Sequence, residues 1–110
     1  DKKRTVMKKV KFSVFKQEYN FSTLIGAGQE INLNKNPQGL IYVKYYGSGE
    51  VAVFNIGTLV EQIVIVNQHG NSFRAGEGTE GICLYRKTVN GNLFIKNNLI
   101  VSVDLLLYIL

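Results

Sequence analysis

Apolar and polar residues alternate along most of this chain. Val10, Phe12 and Val14 take turns with Lys11, Ser13 and Phe15, and Tyr19, Phe21, Thr23 and Ile25 with Asn20, Ser22 and Leu24. Successive side chains of an extended segment point to opposite faces, so a period of two predicts half-buried strands. Ile31 and Leu33 sit among Glu30, Asn32 and Asn34 in a shorter strand. In residues 40–46 the pattern places Ile41, Val43 and Tyr45 on one face and Tyr42, Lys44 and Tyr46 on the other. Residues 51–56, 59–66, 82–89, 92–96 and 99–110 are further strands, the last with a bulge expected near Asp104. Ile63-Val64-Ile65-Val66 is apolar on both faces, which predicts a central strand or one packed on a partner chain.

Turn chemistry separates these segments. Asn34-Lys35-Asn36-Pro37-Gln38-Gly39 combines a preset φ with residues tolerant of φ > 0, Gly47-Ser48-Gly49 predicts a hairpin, and Gln68-His69-Gly70-Asn71 predicts a turn. Asn90-Gly91 predicts a two-residue type I′ turn. No window places apolar residues at i, i+3, i+4 and i+7, so helix is not expected. Eight or nine strands at this spacing predict an all-β fold, an antiparallel β-sandwich or a jelly-roll-like barrel. Residues 10–110 are expected to form this single β domain, and residues 1–9 a basic leader or the end of an upstream stalk.

Composition supports strands over helices. Among 110 residues there are 12 Val, 10 Ile and 11 Leu but 3 Ala, with 11 Gly and 11 Asn. The net charge of +5 is uneven. Seven basic groups and Asp1 fall within residues 1–16, whereas residues 17–110 carry six basic and seven acidic groups. A nucleic-acid binder usually spreads its basic stripe over the folded face, so nucleic acid is not an expected partner. No apolar run reaches the roughly 18 residues of a spanning helix, and the alternation after Met7-Lys8-Lys9 is not that of a signal peptide. Membrane insertion is therefore not expected. A chain that starts at Asp1 reads as a fragment, a processed chain or added residues.

Candidate chemistry is sparse. One Cys and one His make neither a disulfide nor a structural zinc site, and Cys83 reads as a small buried hydrophobe. Glu77 and Glu80 share the loop Gly76-Glu77-Gly78-Thr79-Glu80-Gly81, a poor platform for a fixed carboxylate pair. That loop lacks the following helix a phosphate site requires, and no calcium-loop spacing is present. No catalytic residue, metal or cofactor is expected. What the sequence offers is a binding surface. Tyr42, Lys44 and Tyr46 share a strand face, Tyr19 and Tyr85 lie on other strands, and the turn residues Gln68, His69, Asn71 and Arg74 add directional polar groups. Aromatic rings stack on the apolar faces of sugars while polar neighbours fix orientation.

A charged leader, many short strands with Gly and Asn turns, almost no Ala or Pro, and an end within the apolar run 99–110 carry a resemblance. In these features the chain resembles the C-terminal tip or head domains of bacteriophage tail fibres and baseplate receptor-binding proteins. The resemblance implies a non-enzymatic module on a virion or extracellular surface that recognises host cell-surface saccharide as a homotrimer. Residues 63–66 and 105–110 would then partly face neighbouring subunits. The alternative is a structural domain, such as a capsid decoration, spike or baseplate component, with protein contacts only.

Overall fold

The computed structural model describes residues 20–109. They form nine strands: β1 (Asn20–Ile25), β2 (Glu30–Asn32), β3 (Gly39–Tyr45), β4 (Glu50–Ile56), β5 (Ile63–His69), β6 (Phe73–Ala75), β7 (Ile82–Arg86), β8 (Leu93–Asn97) and β9 (Val103–Ile109). No helix occurs among the described residues. One sheet runs β1-β9-β3-β4-β5 and the other β2-β8-β7-β6. The chain crosses between sheets at both ends of its course and meanders through β3, β4 and β5 in the middle. The result is the expected all-β sandwich. The leader at 1–9 and the alternation at 10–15 lie outside the described residues.

The alternation that defines each strand also closes the sandwich. In β3, Ile41 and Val43 are buried while Tyr42 and Lys44 are only half-buried, and β9 repeats this with Leu105 and Leu107 against Leu106 and Tyr108. The inward residues of both sheets, among them Ile25, Phe54, Ile56, Ile82, Leu84 and Ile95, make one core. Phe54 of β4 meets Phe73 of β6 edge-on, with centroids 6.2 Å apart and planes at 83°. Each fully buried side chain of this size contributes about 1.5–3 kcal/mol relative to exposure.

Several elements differ from the sequence expectation. Residues 59–62 turn rather than extend, with Gly57 N–H bonded to Gln62 O at 2.7 Å and Gln62 N–H to Leu59 O at 3.1 Å. Among the described residues β5 is an edge strand, paired with β4 alone, so its two apolar faces do not reflect a central position there. Val66 is an extra residue in that pairing, because Val53 faces Asn67 while Phe54 faces Ile65. The irregularity expected near Asp104 is absent: β9 keeps register with β1 through that residue. β6 was not foreseen, being three residues long, and it pairs with β7 in parallel. The β7–β8 hairpin forms, but β7 ends at Arg86 and residues 87–92 make a wider loop. There Asn90 takes φ 56° and bonds Thr58 O at 2.7 Å, while Gly91 is not in the left-handed region that a two-residue type I′ turn demands.

Candidate functional site

The register of the five-stranded sheet collects four of the seven candidate residues on its outer face. Lys44 pairs with Val51, and Val51 pairs with His69. Leu106 lies opposite Lys44 on the other side, so Leu106, Lys44, Val51 and His69 form one cross-strand row. Tyr108, Tyr42, Val53 and Asn67 form the adjacent row. Tyr46 follows β3, bonds Asp104 O through its N–H at 3.0 Å, and is 49% exposed. Lys44 Nζ stands 5.2 Å from the Tyr46 ring centre, and the Tyr42 and Tyr108 rings are 6.1 Å apart at 43°. Neighbouring strands are about 4.8 Å apart, which sets His69 about 10 Å from Lys44 across the row. Three tyrosines, a cation and an imidazole thus share one open face. Tyr108 joins it because β9 lies between β1 and β3, a pairing no local pattern announces.

The other candidates stand apart. His69 and Gln68 end β5 rather than forming a turn. Gln68 lies opposite buried Ala52 and points inward, its Oε1 buried without a hydrogen-bond partner. Asn71 serves a latch centred on Glu50. The Glu50 carboxylate accepts from Asn71 N–H at 2.9 Å, Ser72 N–H at 3.0 Å, Ser72 Oγ at 2.6 Å and Ser48 Oγ at 2.9 Å. Burial by itself raises the Glu50 pKa, but the Ser72, Ser48 and Asn71 donors outweigh it and hold the group below 4.5. Gly70 permits the latch: its φ is 95°, and a Cβ there would lie 2.0 Å from Glu50 Oε1.

Arg74 folds back on its own turn, donating through Nη1 to Asn71 O and to Phe73 O. It lines an open depression of about 290 Å³ with the Gly-rich loop and Cys83. Cys83 is buried beneath that loop, with its Sγ 3.2 Å from Glu80 O and 3.4 Å from Asn98 Nδ2. Burial raises the thiol above its ordinary 9.0, so it is protonated at neutral pH and a poor nucleophile. Cys83 and His69 belong to different sheets. Among the described residues no three His, Cys, Asp or Glu side chains gather as a metal site. Tyr85, a candidate surface aromatic, is 1% exposed. It stacks on Phe94 at 5.9 Å and donates to Glu30, which pairs with Lys87 at 2.9 Å.

Sequence reasoning missed the buried polar groups that brace the loops. Arg86 is 1% exposed and donates from Nε to Gly91 O at 2.9 Å, from Nη1 to Gly57 O, and from Nη2 to Asn36 Oδ1 at 2.5 Å. No carboxylate is among these partners. Burial pushes the guanidinium pKa down, and oriented carbonyls replace the lost water. Asn97, fully buried, donates to Ile25 O, Gly26 O and Val101 O at 2.7–3.2 Å. An Arg or Asn closing an apolar strand was the available signal, and it reads equally well as a solvated strand end. No protein-family model, curated protein or solved structure matches this chain.

Proposed function

We propose that this domain is a non-enzymatic recognition module that binds saccharide on the outer face of its five-stranded sheet, as the tip of a viral or phage fibre. The observation that supports it is the clustering of Tyr42, Tyr46 and Tyr108 around Lys44 on one exposed sheet face, with His69 in the same row. Ring faces stack on the C–H side of a pyranose, while the phenol hydroxyls, the ammonium and the imidazole hydrogen-bond its hydroxyls. Cell-surface glycan fits this flat and open geometry better than a small metabolite, which needs a concave pocket. The test is a glycan-array screen of the full chain followed by titration of the hits. Tyr42→Ala and Tyr46→Ala are expected to weaken binding by about tenfold each while the circular dichroism stays unchanged. An array with no reproducible hit overturns the reading.

A second reading, a structural domain with protein contacts only, is favoured by a different observation. Leu24, Leu40, Val64 and Val66 on the same sheet are 42–68% exposed, more aliphatic surface than a sugar requires. A silent array together with a stable assembly selects it.

A further inference from the structure

We infer that two copies of this chain associate through their β5 edges, pairing antiparallel about a two-fold axis to join their five-stranded sheets. The argument begins with the edges. A sheet edge presents unpaired N–H and C=O groups, and folded proteins blunt it by shortness, charge or proline. In the four-stranded sheet both edges, β2 and β6, are three residues long. Among the described residues β5 pairs with β4 alone; it is seven residues long, one more than β1 at the other edge of its sheet, and contains no Lys, Arg, Asp, Glu or Pro. It also exposes Val64 at 51% and Val66 at 58%. Since Gly57 N–H bonds Gln62 O, the alternation of an antiparallel ladder turns the backbone groups of Ile63 and Ile65 away from β4. Among the described residues these groups form the open edge.

The occupant is a second copy because the flank is complementary to itself. Glu61 lies at the start of β5, and exposed Arg74 of β6 lies beside its end, across the tight turn 70–72. Antiparallel pairing brings the Glu61 end of one copy to the Arg74 end of the other, twice, whereas parallel pairing would set like ends together. The bulge at Val66 shifts the outward face by one residue and so limits the registers to those that pair residues before it with residues after it. Before it Val64 faces outward, and after it Asn67 does, so outward residues meet when the axis passes between Ile65 and Val66. Val64 of one copy is then opposite Asn67 of the other, and Ile63 opposite Gln68. A seven-residue edge is about 24 Å long, and two sheets with their outer side chains are about 20 Å deep, so association buries about 1,000 Å² in total. That is the lower end for a specific interface. Three copies about an axis cannot each pair β5 with β5, so this edge makes a dimer. It leaves Tyr42 and Tyr46, two strands away, uncovered.

Sedimentation equilibrium of the full chain, on the order of 100 µM, is expected to give twice the 12.3 kDa chain mass. Val64→Lys with Val66→Lys sets like charges across the axis and should return the monomer with unchanged circular dichroism. The Ile63 and Ile65 amides should exchange slowly in the wild type and fast in this variant. Glu61→Arg should weaken association, and adding Arg74→Glu should restore it. A wild-type monomer, a threefold mass, a double-lysine variant that still dimerises, or amide exchange indifferent to the variant would each overturn the proposal.

Discussion

Glu50 shows how one side chain can hold two turns. It begins β4, yet its carboxylate accepts four hydrogen bonds from the turns that precede β4 and follow β5. Its folded pKa lies below 4.5, so its stabilisation is fully present above that value and is lost as pH falls through the folded pKa. Glu50→Gln should therefore lower Tm at pH 7, and the gap from wild type should narrow as pH falls through the folded-state pKa, below 4.5. Thermal melts of both proteins between pH 7 and pH 3 measure this. The role was hidden in the sequence, because its partners Asn71 and Ser72 lie more than twenty positions away. Asn71, by contrast, was marked as a ligand-facing residue for its side chain, and what the fold uses is its backbone N–H.

At the scale of elements, strands and loops follow different rules. The β3–β4 hairpin was legible because its turn and both its faces are local in sequence. The loops that follow β2, β4 and β7 were not, since what organises them is Arg86, reaching Asn36, Gly57 and Gly91 at once. Replacing it by Met removes a cation and leaves those part-buried oxygens without its donors, a change that costs about 3 kcal/mol. For a domain of this size Tm should fall by more than about 10 °C in a thermal melt. Arg86→Lys should recover little of this, because one ammonium cannot span three loops as a planar fork does. The same network explains why Asn90-Gly91 does not close a two-residue turn. The Asn90 N–H is used on Thr58 O and the Gly91 carbonyl on Arg86, so the loop opens to reach both.

At the scale of the whole molecule, stability rests on two sheets sharing one interior. Phe54→Ala removes a ring that is fully buried against Phe73 of the other sheet and should cost about 3–5 kcal/mol, measured by urea denaturation. It should leave the outer tyrosine face unaltered, since Phe54 and Tyr42 lie on opposite sides of their sheet. The sequence by itself determined most of the extended segments and which residues share a face within each, because those properties follow from side-chain alternation within a few residues; it misplaced 59–62, 68–69 and 87–89 and did not show β6. It also determined that Tyr42, Lys44 and Tyr46 stand together, since one strand carries them. Tertiary structure alone decided that Tyr108 and His69 join them, that β5 is the last described strand of its sheet and that β6 runs parallel to β7. Strand order is set by closing long loops over a common core, and alternation is blind to which distant strand becomes the neighbour.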